Sequence, residues 1–136
     1  MVARTHHLLV VDDEPYIGRI VRAQFERGPY EVSCVEDAAA GLSFLAGHDD
    51  VDCILLDLNM PGMSGIEFLE RVRQDSRYAR LPVLVLTAAG QMGQVEQARA
   101  LNCAGIVTKP FSPKKLYRQV AGLLGDDPDA ELGGEG

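Results

Sequence analysis

The stretch CILLDLNMPGMSGIEFL at residues 53–69 reads as a strand, a turn and the start of a helix. Cys53 to Leu56 form an unbroken apolar run, without the alternation of a strand that keeps one face wet. An acid, Asp57, closes the run, and Asn59 with Pro61 and Gly62 supplies turn formers. Ser64 followed three residues later by Glu67 is a capping-box pattern, and Ile66, Leu69 and Val72 then recur at helical spacing over 65–75. A strand buried on both faces that passes into a helix is one βα unit of a parallel sheet.

The same unit repeats on either side. Apolar runs lie at 7–11 (HLLVV), 30–35 (YEVSCV), 83–86 (VLVL) and 105–107 (GIV). Between them, Ile17, Ile20, Val21 and Phe25 share one face of a helix over 14–27, and Leu42 and Leu45 mark a second over 38–46 with Asp37 as its N-cap. Met92, Val95, Ala98 and Leu101 mark a weaker helix over 92–101. The last helix spans 113–124, with Ser112 as cap, Pro113 at its first position and Leu116, Val120, Leu123 and Leu124 facing inward. Five strands alternating with five helices predict an α/β fold, a doubly wound (βα)₅ parallel sheet of flavodoxin-like order 2-1-3-4-5. In such sheets the functional crevice lies beyond the carboxyl ends of the strands, beside strand 1.

Composition excludes several classes. Among the 136 residues, 46% are hydrophobic and 24% charged, as in a soluble globular protein. No run approaches the length of a membrane span, and the N-terminus does not read as a signal peptide, so a cytoplasmic protein is expected. The formal charge is −7, but Asp126, Asp127, Asp129, Glu131 and Glu135 supply five of those negative charges. Residues 1–124 are expected to form the domain, nearly neutral and without a basic block, and 125–136 an acidic, disordered tail. Direct nucleic-acid binding is not expected. Cys34, Cys53 and Cys103 have neither disulfide nor zinc spacing, and Cys34 and Cys53 read as small hydrophobes within their strands. His6, His7 and His48 show no metal-site spacing.

The residues at the carboxyl end of each strand carry the chemistry. Strand 1 ends in Asp12, Asp13 and Glu14, strand 3 in Asp57, strand 4 in Thr87, and strand 5 in Lys109 and Pro110. The predicted topology brings all of these to one edge of the sheet. Clustered carboxylates repel one another unless a cation compensates, and an oxygen-only set suits Mg²⁺. A carboxylate is also a nucleophile toward phosphorus, and phosphoryl transfer needs mainly positioning and charge neutralisation. Lys109 and the Thr87 hydroxyl are the available cation and hydrogen-bond donor. Taken singly, Asp12 and Asp13 suit a helix start, and Asp57 and Asn59 a turn. Their coincidence at the correct strand ends favours a site.

The motifs LLVVDDEP, CILLDLNMPGMSGIEFL, PVLVLTA and TKPF resemble the receiver domain of bacterial response regulators across residues 7–124, most closely the single-domain chemotaxis type. The resemblance implies that Asp57 is the phosphoacceptor. It implies Mg²⁺ held by Asp13, Asp57 and the Asn59 backbone carbonyl, with Asp12 acting through water. Thr87 would be the switch hydroxyl, Lys109 the phosphate-contacting lysine, and the Lys109-Pro110 bond cis. It implies a histidine kinase or histidine phosphotransfer protein as donor, which we expect to dock near helix 1 at Tyr16 and Arg19. Output is expected either through a protein target on the face of helix 4, strand 5 and helix 5 or by relay of the phosphoryl group to a phosphotransfer protein. Where receivers usually carry Tyr or Phe three residues before the lysine, this chain has Ile106, which cannot perform the same ring rotation. Ala89 takes the position that, with Asn59, flanks the phosphoryl group.

Rival readings fail on specific residues. Phosphatases with an aspartate nucleophile carry a second acid two residues later, where this chain has Asn59. A flavin module needs an anion-accepting loop after strand 1, which Asp12, Asp13 and Glu14 would make repulsive. A scaffold-only receiver would not require the full acidic set and the lysine.

Overall fold

The computed structural model describes residues 6–125 apart from Ala89 and Gln91. The expected acidic tail from residue 126, and Ala89, therefore lie outside the described residues. Five strands, β1 (His6–Val11), β2 (Tyr30–Val35), β3 (Cys53–Asp57), β4 (Val83–Thr87) and β5 (Gly105–Thr108), form one sheet. They alternate with α1 (Pro15–Phe25), α2 (Ala38–Gly47), α3 (Gly65–Gln74), α4 (Met92–Ala100) and α5 (Pro113–Leu124). The order is β2-β1-β3-β4-β5 with every pairing parallel, as expected.

The absence of alternation in the central strands has a direct cause: both of their faces are covered. Leu8 and Val10 of β1 point with Cys53, Leu55, Leu84 and Leu86 toward α1 and α5, where Ile17, Val21, Phe25, Leu116, Tyr117 and Val120 complete one core. Leu9 and Val11 point with Ile54, Leu56, Val83 and Val85 to the other face, against Leu45, Phe68, Leu69, Val72 and Ala98 of α2, α3 and α4. Each Val, Leu, Ile or Phe side chain among them contributes about 1.5–3 kcal/mol on burial. The helix starts also follow the sequence. Asp37, Ser64 and Ser112 accept backbone N–H bonds from Ala40, Glu67 and Lys115 at 2.7, 3.1 and 3.2 Å. Glu67 does not return the capping-box bond and instead accepts from Arg71 at 3.1 Å.

Two expectations are corrected. Leu123 does not face inward but is 39% exposed. The buried face of α5 lies around Val120 and Tyr117, about a quarter of a turn from Leu123 at 100° per residue. Cys53 is buried, but Cys34 is exposed. On the edge strand β2 its sulfur lies beside Gly18, with the Arg22 guanidinium 3.6 Å away.

Candidate functional site

Parallel strands deliver their carboxyl ends to the same edge, and there the acids meet. Asp12 follows β1 and Asp57 ends β3, at 3% and 5% exposure, with Asp13 the least buried of the three. Carboxylate oxygens of Asp12, Asp13 and Asp57 lie within 4.8 Å of one another. Backbone N–H groups orient two of these acids: Glu14 donates to Asp12 Oδ1 at 2.9 Å, and Asn59 to Asp57 Oδ1 at 3.1 Å. Lys109, on the loop after β5, brings its ammonium 2.8 Å from Asp12 Oδ2, 2.7 Å from Glu14 Oε1 and 3.6 Å from Asp57 Oδ2. The Lys109-Pro110 bond is cis. An open cavity of about 320 Å³ lies over Asp57, lined by Asp13, Glu14, Asp57, Asn59, Ala88 and Lys109.

The electrostatics are those of a cluster short of positive charge. Burial pushes the Asp57 carboxyl up to about 6, with the Asp12 and Asp13 charges adding to the rise against the Asn59 N–H and Lys109. Burial raises Asp12 as well, outweighing its contacts with Lys109 and Glu14. Burial alone would lower the lysine, but the close Asp12 carboxylate and the hydrogen bond to Glu14 prevail and keep Lys109 firmly protonated. Oxygen ligands from two or three carboxylates, with room for water beside them, fit a hard divalent cation such as Mg²⁺.

The remaining predicted residues are placed less directly. Thr87 ends β4, is 3% exposed, and donates its hydroxyl to the Ala88 carbonyl at 3.2 Å. Its own carbonyl accepts from the Lys109 backbone N–H at 2.8 Å, which ties the ends of β4 and β5 together. Asn59 is exposed at the cavity wall. Ile106 stands opposite Val85 in the ladder and is half-buried against the α2–α3–α4 core, beside Leu101 and Cys103. Sequence reasoning missed the grip of Glu14 on Lys109. The only signal was an acid after an acidic pair, which reads equally as a helix start.

Residues 8–121 match the family described as response regulator receiver domain. The chain belongs to that family. Receivers are the phosphoacceptor switches of two-component signalling, a system whose donors are histidine kinases. This receiver is 36% identical over 118 residues to response regulator Rre1 of Synechocystis sp., covering 86% of the chain but only 51% of Rre1. The chain thus spans about half the length of that relative. It is 32% identical over 119 residues to chemotaxis protein CheY1 of Helicobacter pylori, covering 87% of the chain and 96% of CheY1. The structure of Vibrio cholerae chemotaxis protein CheY4 superposes with a TM-score of 0.80 at 30% identity, over 87% of this chain and 98% of that one. No helix among the described residues is long and apolar enough to cross a membrane.

Proposed function

We propose that this receiver is a signalling switch that accepts a phosphoryl group on Asp57 from a histidine kinase or a histidine phosphotransfer protein, and that a partner protein reads the change. The convergence of Asp12, Asp13, Asp57 and Lys109 under one open cavity carries this reading. A carboxylate oxygen of Asp57 attacks phosphorus in line. The new O–P bond forms as the donor's P–N bond breaks, and the bonding electrons leave with the imidazole nitrogen. Lys109 and Thr87 then hold phosphoryl oxygens as hydrogen-bond donors. Asp13, Asp57 and the Asn59 carbonyl would hold Mg²⁺ directly and Asp12 through water. Once bound, the ion supplies charge neutralisation for the transferring group.

The donor docks over α1, where Tyr16 and Arg19 are exposed. There an apolar cavity of about 320 Å³, lined by Tyr16, Ile17, Ile20, Ala88, Pro110 and Phe111 among others, opens beside the site. The output surface is the face of α4, β5 and α5. Among the described residues, α4 buries only Val95 and Ala98, which leaves it free to respond to the loop after β4. Ile106 takes the place of a rotating ring, so the readout passes through helix position rather than ring rotation. The expected setting is cytoplasmic.

Intact mass after incubation with acetyl phosphate tests the reading. One phosphoryl adduct is expected for wild type with Mg²⁺, and none for Asp57→Asn or without the ion. Undiminished labelling of Asp57→Asn would remove Asp57 as the acceptor.

A further inference from the structure

The Lys109 ammonium has three N–H donors; one hydrogen-bonds Glu14, and the nitrogen is also ion-paired with Asp12. Its nitrogen is 2.8 Å from Asp12 and 2.7 Å from Glu14, against 3.6 Å from Asp57. Glu14 is gripped in turn from outside, because the Tyr16 hydroxyl donates to Glu14 Oε2 at 3.2 Å. Glu14 also occupies the N-cap position of α1 without capping it. Its carboxylate is held at the lysine instead, and the hydrogen bond from Lys109 keeps it below the ordinary glutamate range.

The position of this chain of contacts gives it meaning. Glu14, Ala88 and Lys109 line both the polar cavity over Asp57 and the apolar cavity beneath Tyr16. Tyr16 is 46% exposed at the mouth of the second. Tyr16, Glu14 and Lys109 therefore link the surface where a donor would sit to the carboxylate that would react.

We infer that Glu14 is a positioning residue that latches Lys109 away from Asp57 at rest, and that a protein donor covering Tyr16 opens the latch. The inference rests on the reading of Asp57 as phosphoacceptor. A docked partner draws the Tyr16 ring into its interface and takes the hydroxyl from Glu14, which loosens the carboxylate. Lys109 keeps Asp12 and gains a donor for the incoming phosphoryl oxygen. A small acyl phosphate never touches Tyr16 and meets the lysine still latched. The latch thereby discriminates protein donors from small ones by withholding a contact rather than by adding one.

The test compares wild type, Glu14→Gln and Tyr16→Phe with acetyl phosphate as donor and Mg²⁺ present, separating KM from kcat. Glu14→Gln is expected to lower KM about two- to fivefold, the range a partly exposed ion pair supports, with kcat unchanged. Tyr16→Phe moves KM the same way by less. In parallel, reductive methylation of Lys109 in metal-free protein, read by peptide mass, is expected to run faster in Glu14→Gln. A higher KM or a lower kcat in Glu14→Gln would make Glu14 a support for the lysine and overturn the latch, as would equal methylation in the two proteins. Methylation needs no phosphoryl transfer, so it judges the latch even if wild type takes no phosphoryl group, the result that would instead sink the parent reading.

Discussion

Asp57 is costly to keep ionised where the fold puts it. Its ordinary value of 3.8 rises to about 6 in the folded protein, first through burial and then through Asp12 and Asp13. The folded state therefore holds this proton more tightly than the unfolded chain. Stability attributable to Asp57 is lost as pH rises from about 4 through about 6, and the cost is fully present above that window. A shift of about two units corresponds to about 3 kcal/mol. In metal-free buffer, Asp57→Asn is accordingly expected to unfold at higher urea than wild type near pH 7.5, by about 2–3 kcal/mol, with the difference gone by about pH 3.5. A difference of the same size at both pH values would mean that the introduced amide gains from packing and not from the missing charge.

At the scale of elements, α3 sets the position of the Asp57 strand end. Gly65 opens the helix, and a Cβ there would stand 2.6 Å from the Asp57 carbonyl oxygen and 2.6 Å from Leu58 Cα. Both are backbone atoms and cannot swing aside. Gly65→Ala is expected to cost about 1–3 kcal/mol in a thermal or urea melt by forcing α3 off β3. Gly93→Ala in α4 meets nothing within 4 Å and should stabilise by about 0.5–1 kcal/mol through helix propensity alone. Equal effects of the two substitutions would show that contact with β3 does not set the cost. The far end of α4 is anchored differently. Arg73 of α3 donates to the Leu101 and Asn102 carbonyls at 2.9 and 3.1 Å, and to those of Tyr78 and Leu81 at 3.2 and 2.8 Å. One guanidinium thus ties the α3–β4 loop to the start of the α4–β5 loop, and α4 is held at its C-terminal end while, among the described residues, it buries only Val95 and Ala98.

For the whole molecule, the sheet separates two cores and gathers the ionisable cluster at one edge, so a cation there acts on the folded state alone. Under the proposed function, Mg²⁺ at about 100 times its dissociation constant adds about 2.7 kcal/mol to unfolding. A rise in melting temperature with Mg²⁺ is expected for wild type, and a much smaller one for Asp13→Asn, which removes a ligand charge without touching the core. An identical rise in both proteins would place the ion elsewhere.

Sequence alone determined the strands, their order and the edge on which the acids meet. Apolar runs such as Cys53–Leu56 and Val83–Leu86 are too continuous for a one-sided strand, and right-handed crossovers then send every strand's carboxyl end the same way. Asp12, Asp13, Asp57, Thr87 and Lys109 were legible because backbone topology places them, whatever their rotamers. α4 was fainter because, among the described residues, it buries only Val95 and Ala98. Only the tertiary structure decided that Glu14 holds Lys109 across 95 residues of sequence, that Arg73 gathers four carbonyls, that Cys34 is exposed and that Leu123 faces out. Each depends on how side chains from separate elements meet, and local periodicity carries no information about a neighbour that the chain reaches only by folding.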